Sequence, residues 1–184
     1  PKIELRFQDL SGLNFEYINL SNSDFRWSNF DTAKISNVDF TRANLSYTDL
    51  SGRDMTGTIL TGAIISYTNF TGVDLSGKDL TGTILKGVDL SNVDLSGTIL
   101  TGADLSHTNL TGVDLSGKDL TGTRLAGVDL SGKDLTGTIL TGADLLNVDL
   151  TGTILTRTDL SHTNLTGVDL SGKDLTQTIL RRAD

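Results

Sequence analysis

Every residue whose number is a multiple of five, from Leu5 to Leu180, is large and apolar. These centres are 28 Leu, five Phe (Phe15, Phe25, Phe30, Phe40, Phe70), two Ile (Ile35, Ile65) and Met55. The register never slips. The other phases are equally strict: Thr, Val, Ala or Ser mostly stands two positions before a centre, as at Ala43, Thr58, Val88 and Ala103. Asp or Asn mostly stands one before, and 21 of the 23 acidic residues share that phase, Glu16 and Asp31 being the exceptions. Ser or Thr follows the centre, and all 20 glycines lie two positions after one.

A period of five matches neither the 3.6 of a helix nor the alternation of a long strand. It suits a chain that turns a corner once per repeat. Gly two past the centre supplies the positive φ that the third residue of a type II turn needs. Asn22, Asn37, Asn92 and Asn147 tolerate that conformation next best. Four such corners close a square coil of about 20 residues, stacked on the next at about 4.8 Å. The expectation is an all-β solenoid of about nine coils, roughly 43 Å long, with mostly type II turns and backbone pairing between coils.

The units Ala103-Asp104-Leu105-Ser106-His107 and Ala43-Asn44-Leu45-Ser46-Tyr47 resemble the A(D/N)Lxx unit of the pentapeptide repeat family. The resemblance covers essentially the whole chain. It implies a right-handed quadrilateral parallel β-helix. It also implies kinship with acidic dimeric rods that protect bacterial DNA topoisomerases by imitating duplex DNA, although many members have no known role. Residues 1–184 contain neither the repeat-breaking loop nor the C-terminal helix of the topoisomerase-directed members.

The unbroken register predicts a single domain over 1–184. Because the chain opens on Pro1 rather than Met, that domain reads as a piece of a longer protein. With no Cys, disulfides, thiolate metal sites and cysteine nucleophiles are excluded, and redox compartment is left open. A net charge of −8 argues against direct nucleic-acid binding. No apolar run is long enough for a membrane span, and a cytoplasmic location is favoured without being fixed. His107 and His162 lie 55 residues apart, roughly 13 Å along the axis, too far to share a metal, and read as turn residues replacing Gly. No nucleophile–base set forms around either, no phosphate loop occurs, and an even rod offers no concave pocket. The chain therefore reads as no enzyme, with no cofactor.

Residues 20 apart should share a vertical column. Phe7, Trp27, Tyr47 and Tyr67 form an aromatic ladder expected on one face, flanked by Arg6 and Arg26. It either stiffens the first coils or serves as a docking stripe of the residues that interface hot spots use. Asp54, Asp74, Asp94, Asp114 and Asp134 form an acidic column, and Asp49, Asp89, Asp129, Asp149 and Asp169 share the next face with Asn69 and Asn109. Such stripes could imitate DNA, or the carboxylates could simply bond local backbone N–H groups. Ile59, Asp79, Ile99, Asp119, Ile139, Asp159 and Ile179 alternate in a third column beside Thr41, Thr61, Thr81, Thr101, Thr121 and Thr141. The threonines raise ice binding as a minor alternative, which the interleaved Asp residues oppose.

Arg53, Lys78, Lys118, Lys133 and Lys173 occupy a phase that points inward, where snorkelling or carbonyl contacts are expected. Leu175 and Leu180 belong to the last coil and predict end-to-end contact with another copy, or capping residues in a longer chain. The leading functional expectation is a non-enzymatic interaction scaffold or structural spacer whose partner is another protein. The runner-up is an acidic DNA mimic that binds gyrase and protects or inhibits it.

Overall fold

In the structure, a computed structural model that describes residues 2–184, each five-residue unit makes one corner. From Leu10 to Leu180 the carbonyl of every centre accepts a hydrogen bond from the N–H three residues on, as from Ala63 to Leu60 at 2.9 Å. The residue two past the centre has positive φ (67° at Gly62), whereas no described residue one past a centre does. Positive φ confined to the third residue defines type II corners.

The bridges between coils are all parallel and join residue i to residue i+20, from Glu4 with Asp24 to Asp159 with Ile179. Four corners therefore complete one coil, as the repeat predicts. We number the sides by the residue before each centre: side 1 carries 4, 24, 44 and onward; side 2, 9, 29 and onward; side 3, 14, 34 and onward; side 4, 19, 39 and onward. Sides 1 and 3 are opposite walls. Every multiple of five from Phe25 to Leu160 is buried, forming one continuous apolar column. Each such Leu removes enough apolar area from water to contribute about 1.5–3 kcal/mol.

The five N–H groups of a unit have separate destinations. The N–H three past a centre closes its corner. Those of the centre and of the positive-φ residue donate to the next coil, as Leu5 does to Asp24 O and Phe7 to Arg26 O. That of the residue before the centre donates to the previous coil, as Asp24 does to Ile3 O. The remaining N–H, one past the centre, donates to the Asp or Asn two residues earlier, as Thr56 does to Asp54 Oδ1 at 2.9 Å. This Asx bond explains the Asp/Asn phase: the carboxylate or amide supplies an acceptor that the ladder lacks.

Residues two before a centre point inward, above the carbonyl of a centre one coil below. Ala leaves that space free. Thr fills it with a donor, as Thr138 Oγ1 bonds Leu115 O and Thr158 Oγ1 bonds Leu135 O, both at 2.8 Å. Three lysines here do likewise, Lys78 Nζ donating to Met55 O at 2.5 Å, Lys118 to Leu95 O at 2.6 Å and Lys173 to Leu150 O, while Lys133 donates to Val113 O at 3.1 Å. The expected carbonyl contacts are present.

The rod is not even, which corrects the expectation of a surface without concavities. Beside each of the four inward lysines the ladder bonds of both flanks are missing. Around Lys78, Met55 N–H does not reach Asp74 O and Leu60 N–H does not reach Asp79 O. The same holds around Lys118, Lys133, Lys173, Arg53 and Val93, and Asp149 loses its ladder bonds beside Val148. Shallow grooves of about 400–520 Å³ open at these gaps, such as the one lined by Asp54, Met55, Asp74 and Lys78. Side 1, whose corner with side 4 carries only Ser, Ala or Thr inward beyond Ile3, keeps every ladder bond from Leu5 to Asp184.

Candidate functional site

The aromatic ladder forms as the 20-residue arithmetic requires, but along the edge between sides 1 and 2 rather than on a flat face. All four residues take the positive-φ corner position, with φ of 56°, 63°, 60° and 56° in chain order. Their rings stack along the axis: Phe7 and Trp27 at 6.4 Å and 2° between planes, Trp27 and Tyr47 at 4.0 Å and 2°, Tyr47 and Tyr67 at 5.1 Å and 12°. An aromatic residue with positive φ is uncommon and strained by roughly 1–3 kcal/mol. Stacking returns about 0.5–1.5 kcal/mol per pair. The stack leaves Phe7 72% exposed and the other three rings about half exposed.

Gly87 ends the ladder and seats it. An alanine Cβ at Gly87, where φ is +69°, would stand 2.2 Å from Tyr67 Cε1, so the last ring occupies space that only glycine leaves. Gly127 lies over His107 in the same column, where a Cβ would stand 2.3 Å from His107 Nδ1. His107 and His162 are indeed corner residues, each with φ of 58°. Among the described residues no group of three His, Cys, Asp or Glu is placed to hold a metal ion.

Arg6 and Arg26 do not stand free beside the rings. Both grip the half of the ladder base that sequence reasoning misses, the carboxylate of Asp24. Arg6 Nε donates to Asp24 Oδ2 at 2.7 Å and Arg26 Nη2 to the same oxygen at 2.8 Å. The Arg26 bond, more than any other contact, holds the Asp24 carboxyl at about 2. The signal for it is in the spacing: Arg6 and Arg26 are one coil apart, and Asp24 precedes Arg26 by two.

Asp54, Asp74, Asp94, Asp114 and Asp134 form one exposed column on side 3, alongside the grooves. Each accepts the N–H two residues on, at 2.7–2.9 Å, which fixes the carboxylates in one orientation. The hydroxyl and N–H of Thr56, Ser76, Ser116 and Thr136 lower the carboxyls of Asp54, Asp74, Asp114 and Asp134. At Asp134 hydrogen bonding outweighs the like-charge repulsion of Asp114. On side 2, Asp49, Asp89, Asp129, Asp149 and Asp169 line up with Asn69 and Asn109 and make the same local bonds. Burial lowers the Lys78 ammonium, and Asp74 and Asp54 oppose that shift.

On side 4, Ile59, Ile99, Ile139 and Ile179 stand exposed between Asp79, Asp119 and Asp159. The threonine column runs along the adjoining edge, and Thr121 Oγ1 is committed to Asp119 Oδ1 at 2.6 Å. The interleaved Asp residues interrupt the apolar surface along this side. In the last coil Leu175 is half-buried and Leu180 exposed. No helix among the described residues is long and apolar enough to cross a membrane.

The family model described as "Pentapeptide repeats (8 copies)" matches residues 9–46, 39–77, 79–117, 119–157 and 158–184. Among solved structures the chain is similar to HetL, a pentapeptide repeat protein involved in heterocyst differentiation regulation in the cyanobacterium Nostoc sp. strain PCC 7120. They share 27% identity and a TM-score of 0.65, covering 99% of this chain and 91% of that one. It is also similar to a trypsin-treated variant of QnrB1, a plasmid-mediated fluoroquinolone resistance protein. There the identity is 18% and the TM-score 0.57, covering 98% of this chain and 92% of that one. These neighbours are right-handed quadrilateral β-helices, which supplies the handedness of the fold. A search of curated proteins found no significant match.

Proposed function

The chain belongs to the pentapeptide repeat family, and from that premise we propose that it is a non-enzymatic scaffold that docks another protein along Phe7, Trp27, Tyr47 and Tyr67. The observation that carries this reading is the exposure of four stacked rings held in strained corners. A ladder needed only for stiffness would gain more by burial, whereas exposed Trp and Tyr presented rigidly are what interface hot spots use. HetL, a regulator of differentiation by its description, fits a family that works through contacts rather than catalysis. Trp27 is the only tryptophan, so its emission reports the stripe directly. Proteins retained by the native chain should be lost by a folded Trp27→Ala/Tyr47→Ala variant, and Trp27 emission should shift as they bind. Identical retention by both chains would remove the stripe from this reading.

A second reading rests on the oriented carboxylates of Asp54, Asp74, Asp94, Asp114 and Asp134. A column of fixed negative charge supports binding in place of duplex DNA on a type II topoisomerase. A gyrase supercoiling assay decides it: unchanged activity and unchanged inhibitor sensitivity across a concentration series would end this alternative. For copies of residues 1–184 taken by themselves, partly uncovered Leu175 and Leu180 support end-to-end contact. Light scattering should then show a Leu175→Lys/Leu180→Lys variant smaller than the native assembly, and equal masses would refute the contact.

A further inference from the structure

The ladder gaps follow a rule that the repeat alone does not reveal. Every gap falls at an Asp, yet Asp is not sufficient, because Asp24, Asp104, Asp144 and Asp159 are fully paired with the coil before them. Eight of the thirteen gapped Asp residues flank an inward lysine. Lys78 has gaps at Asp74 and Asp79, Lys118 at Asp114 and Asp119, Lys133 at Asp129 and Asp134, and Lys173 at Asp169 and Asp174. Where both neighbouring inward residues are Ala, Ser or Thr, as on either side of Asp104, the ladder is complete.

At the lysine corners the physical cause is length, whereas the gaps beside Val93 and Val148 have no long stem and stand outside this account. A Thr hydroxyl reaches the carbonyl below from one carbon away, so the coils stay at ladder distance. A lysine reaches a carbonyl of the coil below with a four-carbon stem that must lie between the coils. Its Nζ–carbonyl bond replaces five backbone bonds around the corner and leaves their N–H and C=O groups facing an open groove. Those groups are solvated there rather than buried, which makes the gap tolerable.

Because these corners lie only around sides 2, 3 and 4, side 1 is a continuous spine. We propose that the inward lysines are built-in points of compliance, at which the coils part and the rod bends about side 1. The lysine that props the coils apart is also the latch that keeps them from separating further, through its carbonyl bond.

Hydrogen exchange at single-amide resolution tests this. Local opening exposes amides whose ladder bonds are absent or weak long before the global structure unfolds. In the native chain the amides of Met55, Leu60, Leu95 and Leu115 should exchange roughly tenfold or more faster than those of Ile65, Leu85, Leu105 and Leu125 on side 1. In a Lys78→Thr/Lys118→Thr/Lys133→Thr/Lys173→Thr variant the fast set should slow by a similar factor while the side 1 set stays unchanged. A single Lys133→Thr chain repeats the test at Leu110 and Leu115 should the fourfold variant fail to fold. Uniform protection in the native chain would overturn the proposal. Fast amides that ignore the threonine substitutions would overturn the role of the lysines.

Discussion

Sides 1 and 3 are opposite walls of the same coils, made from the same five-residue unit, yet one is stitched from end to end and the other is mostly open. Side 1 keeps its ladder through Asp24, Asn44, Ile64, Ile84, Asp104, Arg124 and Asp144. Side 3 keeps it at Lys34 and Ile154 and loses it at Asp54, Asp74, Asp94, Asp114, Asp134 and Asp174. The outward residue does not decide pairing, since Asp104 is paired and Asp94 is not. A long inward side chain accompanies most of the losses on side 3, Arg53, Lys78, Lys118, Lys133 or Lys173 flanking Asp54, Asp74, Asp114, Asp134 and Asp174, while Asp94 opens beside Val93. Two walls with identical periodicity can therefore differ in stiffness, and the grooves and acidic column both belong to the looser one.

The most direct way to break this contrast is to give side 1 a long inward side chain. Ala103 is fully buried at the corner between sides 4 and 1, and its flanks are closed by Leu80, Ile99, Leu85 and Asp104. Ala103→Lys should remove those four ladder bonds and overfill a closed site. At about 0.5–1.5 kcal/mol per bond, the loss comes to roughly 2–6 kcal/mol in denaturant unfolding. A variant as stable as the native chain would show that coil separation is not governed by this position.

A matched pair of glycines sharpens the comparison at the corners. Gly87 sits over Tyr67 on the edge between sides 1 and 2, whereas Gly117 precedes Lys118 at an open corner with nothing within 4 Å of an added Cβ. Both have positive φ, so alanine at either costs about 1–2 kcal/mol of backbone strain. Gly87→Ala must also displace the Tyr67 ring and should lose about 0.5–1.5 kcal/mol more from the stack. Equal losses at the two positions would mean that the ring is not seated on Gly87.

Much of this architecture is legible in the residues without coordinates. The unbroken run of apolar centres specifies the core, and glycine two past each centre specifies the corners, because each depends on one residue and its own backbone. The 20-residue columns follow from four corners, so the alignment of Trp27 with Tyr47 is readable too. Its placement on an edge is not, since the periodicity assigns the positive-φ position to glycine and its substitutes without saying where a ring would point. The gaps are hidden for another reason. The lysines stand out in the sequence as misplaced charges, and electrostatics draws attention to Nζ when the stem length controls the coil spacing. Arg6 and Arg26 read as free hot-spot residues because pairing to Asp24 depends on side-chain reach across coils.

The smallest effect separates the two walls by pH. Asp24 lies in the stitched wall with its carboxyl held at about 2 by Arg26 and, secondarily, Arg6, against an unfolded value near 3.8. A carboxyl depressed in the folded state contributes stability that is complete above the unfolded value and is lost as pH falls through the folded one. That contribution is therefore full above pH 3.8 and gone below about 2. Its size is roughly 1–2 kcal/mol after allowance for the solvent that reaches both arginines. Asp24→Asn should lose this amount at pH 7, and its stability should converge with that of the native chain as the acid limb is descended. Asp74→Asn on the open wall keeps an Oδ1 acceptor for the Ser76 N–H and loses no ion pair, so its cost should be smaller at pH 7. If Asp74→Asn proved the more damaging at pH 7, the carboxylates of the acidic column would be holding the open wall together, and the inward lysines could not be its main determinant.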